Sequence, residues 1–392
     1  MRLSPIALKV ALMFGLMASP ALSAPCGGDF TGFLRAISAE AAAKGLPAGA
    51  TKAFLAGAQR DGSVIKADRA QGIFRKTFLE FSQSLISKGR ISGAASNSKK
   101  YNASFKAAAQ KYGTSRGIIL AFWAFETDFG QVQGDFNTRN ALLTLGHDCR
   151  RPELFQPQIF AAIELTARGD LDPARTQGAW AGEIGQVQML PADILERGVD
   201  GDGDGQITLK TSAPDAILSA SHMLQFHGWR AGEPWMQEVV VPDGLDWSKT
   251  GLDTELSGKQ WAALGVQPRE GALANLPASL LLPQGRKGPA FIVYPNYKVL
   301  FNWNKSFVYV TTAAYFATRI EGAAPYLAGK PDAALSGEAM VAMQKRLAAM
   351  GYDVGKIDGI VGAATRRAVQ AEQKRLGLPA DGWPTKALLD AL

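Results

Sequence analysis

A strongly apolar segment that begins after Ser115 and runs toward Gly130 places the first limit on the architecture. Ser is a preferred N-cap and Gly a preferred residue just past a helix end, so the segment predicts one helix. The stripe of this helix that contains Glu126 is otherwise formed by Ile119, Phe122 and Trp123. Three helical stretches are predicted between Ser115 and Leu224, and polar, Gly-rich loops separate them.

Glu126 is the only charged residue on that apolar stripe. A carboxyl group among aromatic and aliphatic side chains is poorly solvated, which raises its pKa toward neutrality. Such a group can give a proton to a glycosidic oxygen and take one back later. The alternative is a structural Glu that binds backbone amides or an Arg at a helix junction. Asp128 points to another side of the helix and is interpreted as a solvated surface acid.

The first residues have the pattern of a secretory signal. The run Val10–Met17 is almost wholly apolar and small residues precede Pro25, which predicts a signal peptide at residues 1–23 and a periplasmic protein. A membrane anchor is the alternative, which Lys9 and the short apolar core disfavour. Cys26 invites a lipoprotein interpretation, but Pro25 does not fit that processing.

Composition restricts the partners more than the fold. A formal charge of +7 predicts a basic surface that suits polyanions, and peptidoglycan with its peptide carboxylates qualifies as well as nucleic acid does. Nucleic acid is disfavoured because no dense run of Lys and Arg interleaves with stacking aromatic residues. Cys26 and Cys149 are the only cysteines, and in an exported chain they predict one disulfide, with two buried free thiols as the alternative.

Periodicity and turn residues divide the chain. Residues 29–111 are predicted to form a helical lead-in, Phe291–Tyr294 a short strand and Phe307–Ile320 a helix. Gly and Pro residues between 322 and 336 mark a boundary. The expected division is a large region at residues 24–325, a linker at 326–335 and a small module at 336–392. Two helices in this module, each followed by an Asp-Gly turn, give it a weak internal repeat.

An acidic, Gly-rich loop lies near the middle of the chain. Asp200, Asp202 and Asp204 occupy positions 1, 3 and 5 of an EF-hand pattern, which is a strong local signal for Ca²⁺. Thr211 stands where the pattern has a Glu, and Asp215 is the substitute that we expect. The predicted ligands are Asp200, Asp202, Asp204, Gln206, Thr208 and Asp215. A metal-free acidic turn is the alternative.

Several segments resemble one enzyme family, the lytic murein transglycosylase B family. The matching segments are Phe122–Gly130, Trp180–Pro191, His227–Trp229 and, for one branch of the family, Asp148–Pro152. The likeness covers roughly residues 30–320, and the C-terminal module looks like a peptidoglycan-binding domain. The resemblance implies a mainly α fold, in which a lysozyme-like catalytic domain with a helical lead-in precedes a small three-helix domain.

The resemblance also implies an activity. Glu126 would be the sole catalytic acid and base, cleaving the β-1,4 bond between N-acetylmuramic acid and N-acetylglucosamine without water to leave 1,6-anhydromuramyl ends. No catalytic cofactor is implied, and the Asp-rich loop would hold a structural Ca²⁺. The residues assigned to substrate are Trp123, Gly182, Gly185, Gln188, Trp303, Asn304 and Tyr309. For Trp303 and Tyr309, a plain core role is the alternative.

This chain departs from the family pattern at two positions. Ala179 stands where members commonly have a Ser that would orient the catalytic carboxylate. Glu183 replaces a small residue and is interpreted as non-catalytic, because a Gly-rich turn offers no apolar stripe to perturb it. Gly182 and Gly185 are expected to let the backbone approach substrate closely, and Gln188 to bind sugar groups.

Three other functions compete with this one. A muramidase that uses water on the same fold and a non-catalytic wall-binding scaffold are the open alternatives. A zinc peptidase is disfavoured because the histidines show no HExxH spacing. The expected partners are peptidoglycan glycan strands, with cell-wall synthesis or division proteins as further candidates, and the chain is expected to be a monomer that binds no nucleic acid.

Overall fold

The computed structural model describes residues 24–70 and 76–392, so the predicted signal peptide lies outside the described residues. The helical lead-in is confirmed. It consists of α1 Phe30–Ala43, α2 Ala48–Leu55, α3 Gly62–Arg69, α4 Phe78–Leu85, α5 Lys88–Lys100 and α6 Asn102–Tyr112. Asp29, Asp61, Thr77 and Ser87 cap four of these helices with their side chains, which explains how short polar turns suffice to separate them.

The predicted apolar helix is α7, Arg116–Thr127, and the side chain of Ser115 caps it as expected. The helix ends before Gly130, because Asp128 and Phe129 already adopt left-handed backbone angles, with φ of 48° and 60°. Its residues are buried on nearly all sides, and the helix packs against α14, Phe307–Ile320, whose bounds match the prediction. This pair of helices forms the centre of the larger domain.

Four further helices and a small two-stranded sheet surround α7. They are β1 Phe136–Asn137, α8 Thr138–His147, α9 Pro152–Arg168, β2 Gln177–Gly178, α10 Pro191–Arg197 and α11 Ala213–Phe226. The predicted disulfide between Cys26 and Cys149 is confirmed, with Cα atoms 5.2 Å apart. It ties the N-terminal segment to the turn between α8 and α9, where the backbone amide of Gly27 also donates to the carbonyl of His147.

A five-stranded antiparallel sheet was largely missed by the sequence analysis. Its order is β4 Leu256–Ser257, β6 Pro277–Leu281, β7 Phe291–Val293, β3 Met236–Val240 and β5 Gln267–Pro268, with α12 Gly258–Ala263 and α13 Pro295–Val299 beside it. Only β7 was predicted. The other strands are two to five residues long and lie in a stretch rich in Gly and Pro, so they carry no readable alternation. The mainly α class is nevertheless confirmed.

The C-terminal module contains the three predicted helices, α15 Gly337–Ala349, α16 Ala363–Arg375 and α17 Lys386–Ala391. Its internal repeat is visible in the hydrogen bonds. The buried side chain of Gln344 accepts from the amide of Gly359 at 2.8 Å, and that of Gln373 accepts from the amide of Gly382 at the same distance. Within the described residues, no helix combines the length and apolarity needed to cross a bilayer.

The disulfide should contribute measurably to stability. Replacing both cysteines with Ala is expected to lower the free energy of unfolding by about 2–5 kcal/mol, because the bridge closes a long loop in the unfolded chain. Urea unfolding under oxidising conditions measures this loss. Dithiothreitol should destabilise the wild type and leave the double variant unchanged; an equal response of both proteins would contradict the prediction.

Candidate active site

The carboxyl group of Glu126 lies where the last turn of α7 meets the first turn of α14. Its Oε1 atom accepts a hydrogen bond from the indole Nε1 of Trp303 at 2.9 Å and another from the hydroxyl of Tyr309. Phe122 stacks on the ring of Trp303, with ring centroids 4.4 Å apart. The residues Trp303 and Tyr309 were expected in the sugar cleft; the structure directs their polar atoms to Glu126.

Two opposing effects set the protonation of Glu126. Burial raises its pKa to about 6, because the ionised form loses hydration, and the nearby charge of Glu183 also raises the pKa. The hydrogen bonds from Tyr309 and Trp303 lower the pKa because they stabilise the ionised form. Burial raises the pKa of Tyr309 well above its usual value, so this hydroxyl keeps the proton that it donates. Glu126 is therefore able to exchange a proton near neutral pH.

A short capped turn brings the two donors together. The Oδ1 atom of Asn304 accepts from the backbone amide of Ser306 at 2.8 Å, and the side chain of Ser306 caps α14 by accepting from the amide of Tyr309. Trp303 stands immediately before this turn. Asn304 therefore shapes the segment that holds Glu126, while its predicted contact with sugar stays a prediction.

The motif at residues 180–191 folds as a tight turn fixed to the end of α7. The hydroxyl of Thr127 donates to the carbonyl of Gln186 at 2.6 Å and accepts from the amide of Gly130 at 2.8 Å. Gln188 has a φ of 52°, and its side-chain amide donates to the carbonyl of Gly185 at 2.8 Å. These contacts hold the turn beside Glu126. The proposed role of Gln188 toward sugar rests on this placement.

The structure gives a different reason for the two glycines of this turn, while their close approach to substrate stays a prediction. A Cβ atom at Gly182 would lie 2.3 Å from the side chain of Leu142, and one at Gly185 would lie 2.5 Å from Leu209. Both glycines also have positive φ angles, 87° and 80°. Close packing within the protein and backbone conformation therefore account for Gly at these positions.

One assignment near Glu126 needs correction and another is incomplete. Trp123 was assigned to substrate, but its side chain is only 1% exposed and packs against Tyr101 and Phe129 in the core. Asp128 was interpreted as a solvated surface acid, and its side chain is 41% exposed, but it also forms a two-point ion pair with Arg90 of α5, whose Nε lies 2.6 Å from Oδ1. Arg90 was missed, because 38 residues separate it from Asp128 and no local pattern links them.

The environment of Glu183 differs most clearly from the prediction, which gave this residue no surroundings that would perturb its pKa. Burial raises its pKa, although the flanking sequence has no apolar stripe, and the charge of Arg151 lowers it. Among the described residues, its Oε2 atom is buried without a hydrogen-bond partner. Three-dimensional packing, which the sequence does not display, creates this environment. Glu183 is thus a second carboxyl group with a raised pKa, and it lies close enough for its charge to act on Glu126.

The Asp-rich loop forms a cluster of three carboxylates. Oxygen atoms of Asp200, Asp202 and Asp204 all lie within 4.8 Å of one another. Asp215 does not join this cluster. It is fully buried, and its oxygens accept from the backbone amides of Gly201 and Thr208, at 2.9 and 2.7 Å, and from the Ser212 hydroxyl. Asp215 therefore holds the two ends of the loop together, instead of presenting the free carboxylate that we expected.

The fold and the site together define a class of protein. Residues 29–318 match the transglycosylase SLT domain family, and residues 336–392 match the putative peptidoglycan binding domain family. The chain therefore belongs to the transglycosylase SLT domain family and carries a peptidoglycan-binding domain behind it. The family match at residues 29–318 covers nearly all of the segment in which the resemblance was seen.

Particular relatives agree with this assignment. SltB3 from Pseudomonas aeruginosa, solved in complex with NAG-anhNAM-pentapeptide, is 34% identical, with 93% of this chain and 99% of that chain covered and a TM-score of 0.85. The Escherichia coli lytic transglycosylase Slt35, solved in complex with calcium, is 25% identical, with 77% and 98% covered and a TM-score of 0.64. Membrane-bound lytic murein transglycosylase B of E. coli K12 is 28% identical over 232 residues, which are 58% of this chain and 63% of that protein.

Removing one donor should move the titration of Glu126. In Tyr309→Phe the ionised form loses a stabilising hydrogen bond, so the pKa should rise above its value of about 6. If protonated Glu126 is the active form, kcat/KM should fall as pH rises through about 6 in the wild type and at a higher pH in the variant.

A pH–rate profile on a soluble glycan, together with a carbon NMR titration of Glu126, measures both midpoints. Tyr315→Phe is the matched control, because Tyr315 lies on the same helix and its hydroxyl accepts from the amide of Tyr326 instead. The same midpoint in wild type and Tyr309→Phe would refute the assigned role of the tyrosine.

Proposed function

We propose that this protein is a lytic transglycosylase, with Glu126 as general acid and then general base. It cleaves the β-1,4 bond between N-acetylmuramic acid and N-acetylglucosamine without consuming water and leaves 1,6-anhydromuramyl ends. The observation that carries the proposal is a carboxyl group whose pKa burial raises to about 6, while two donors converge on one of its oxygens. Such a group is suited to work in both protonation states.

The two carboxyl oxygens of Glu126 have different roles in this proposal. Oε1 accepts both hydrogen bonds, as a carbonyl oxygen does in a protonated acid, so Oε2 is the atom that would carry the proton. It would protonate the glycosidic oxygen while the muramyl N-acetyl group stabilises the positive charge at C1. Ionised Glu126, held by Trp303 and Tyr309, would then take the proton of the C6 hydroxyl as that oxygen bonds to C1. The proton returns to Glu126, so the cycle balances with one carboxyl group.

Glu183 is the observation that favours hydrolysis as a second candidate. Enzymes that cleave glycosidic bonds with water ordinarily use two carboxyl groups, and Glu183 is a buried acid with an unpartnered oxygen among the described residues, close enough to affect Glu126. The reaction without water needs no such base, because the C6 hydroxyl returns the proton to Glu126 itself. We therefore favour the reaction without water.

The product distinguishes the two reactions. Mass spectrometry of digested sacculi should show anhydromuropeptides, which are lighter than the hydrolytic products by one water. Glu126→Gln should fold and bind sacculi yet release none, because the amide cannot donate the proton. Glu183→Gln is the matched control and should still release anhydromuropeptides. Reducing muropeptides from the wild type, lost in Glu183→Gln, would establish hydrolysis instead.

The location and the partners of the protein are also proposals. We propose export to the periplasm after removal of residues 1–23, followed by action as a monomer. The module at residues 336–392, joined by a linker at 326–335 to the catalytic domain at 24–325, would bind the peptidoglycan strand. Tethering raises the local concentration of the catalytic domain on an insoluble polymer. Cell-wall synthesis or division proteins are further candidate partners, and nucleic acid is not expected.

Calcium is proposed as a structural ion of the Asp-rich loop. Three carboxylates within 4.8 Å of one another fit a hard divalent cation, and the carbonyl of Gln206 and the hydroxyl of Thr208 would complete the set. The carbonyl of Thr208 already accepts from the amides of Thr211 and Ser212. The ion would offset the repulsion among the three charges and order the loop. The loop is also anchored through Asp215. In this proposal the ion is structural and catalysis itself uses no cofactor.

Calcium should therefore stabilise the protein. At a free Ca²⁺ concentration of 100 Kd, the free energy of unfolding should rise by about 2.7 kcal/mol. Asp204→Asn should lose most of this gain, whereas Asp243→Asn, which changes an exposed acid outside the loop, should keep it. Thermal melts with Ca²⁺ and with EDTA measure the shift. Melting temperatures that do not depend on Ca²⁺ would contradict the proposed site.

A further inference from the structure

The C-terminal module packs directly on the segment that supplies the two donors of Glu126. Arg366 of α16 donates from Nη1 to the carbonyl of Leu282 at 3.2 Å and from Nη2 to the carbonyl of Pro283. The guanidinium also lies over the ring of Phe307, 4.5 Å from its centroid. Phe307 is the first residue of α14 and precedes Tyr309 by two positions.

Arg366 joins the two domains by a contact that is largely removed from water. Burial lowers its pKa to about 10, so the side chain still carries its charge at neutral pH. Two carbonyl oxygens and the faces of Phe307 and Trp383 surround the guanidinium. Loss of this side chain would leave the carbonyl of Pro283 without its donor, which is expensive in a buried setting, whereas the carbonyl of Leu282 would still accept from the amide of Gly285.

Other contacts fix the module in the same position. The side-chain amide of Gln370 donates to the carbonyl of Thr250 at 2.9 Å, and Asp381 accepts from the amide of Arg286 at 3.0 Å. A Cβ atom at Gly285 would lie 2.7 Å from that of Trp383, so the loop after β6 fits closely against the module. These contacts define one orientation of the module instead of a loose tether.

We propose that Arg366 is a positioning residue for the catalytic centre. By holding Phe307 at the start of α14, Arg366 keeps Tyr309 and Trp303 directed at Glu126. The module would then support catalysis as well as bind the wall. This inference rests on the proposed function, since it gives Arg366 a role in the reaction assigned to Glu126.

A positioning role for Arg366 predicts an effect on soluble substrates that tethering alone does not. A tether helps only on an insoluble polymer, so a module that acts only as a tether has no effect on a short soluble glycan. A positioning role affects both substrates, because a displacement of catalytic groups by about 1 Å can lower the rate by up to about a hundredfold. It also changes the pH dependence, because weaker hydrogen bonds to ionised Glu126 raise the pKa of that carboxyl group.

The test uses the full chain and a soluble peptidoglycan tetrasaccharide. Arg366→Met keeps the apolar stem and removes the donors; kcat should fall about tenfold or more, with KM little changed and the alkaline limb of the pH profile at higher pH. Arg367→Met is the matched control, because Arg367 is exposed and its 3.7 Å ion pair with Asp253 should contribute little. Circular dichroism confirms that each variant folds.

Phe307→Leu provides a second variant if Arg366→Met fails to fold. It removes the ring beneath the guanidinium and leaves both carbonyl acceptors of Arg366 in place, so the module stays docked while α14 loses its support. A folded Arg366→Met or Phe307→Leu protein with wild-type kcat and pH profile on the tetrasaccharide would overturn the inference, as would a loss confined to sacculi. An NMR titration of Glu126 tests the inference independently of activity: the pKa should rise in Arg366→Met, and an unchanged pKa would overturn it.

Discussion

The convergence of the Trp303 indole and the Tyr309 hydroxyl on one oxygen of Glu126 depends on how closely α7 packs against α14. Neither helix alone supplies the site, because α7 carries the acid and the start of α14 carries the donors. The surrounding elements support the packing of α7 against α14. The turn at residues 180–191 is fixed to α7 through Thr127, and the five-stranded sheet leads through β7 and α13 into the segment before α14.

Burial and hydrogen bonding act on the pKa of Glu126 in opposite directions, and the proposed reaction needs both. Burial alone would keep the carboxyl group protonated and make it a poor base, whereas the two donors alone would keep it ionised and make it a poor acid. Their balance places the pKa at about 6. The charge of Glu183 also raises the pKa of Glu126, so the titrations of the two carboxyl groups are linked.

Local patterns predicted the elements that are defined by neighbouring residues. The cap at Ser115, the bounds of α14 and the single disulfide were all available from the sequence. Periodicity placed Glu126 on an apolar stripe but could not show which stripe residues contact substrate, because α7 is buried on nearly all sides and Trp123 lies in the core. Glu183 was misjudged for a related reason: its burial comes from distant segments.

The two halves of the C-terminal module are built alike, since each has a helix followed by an Asp-Gly turn that a buried Gln holds. Such an arrangement is what an ancient duplication of one unit would leave. The two halves nevertheless differ in what they contact. Arg366 and Gln370, which donate to carbonyl groups of the larger domain, both belong to the second half, so likeness of build does not extend to the outward-facing side chains.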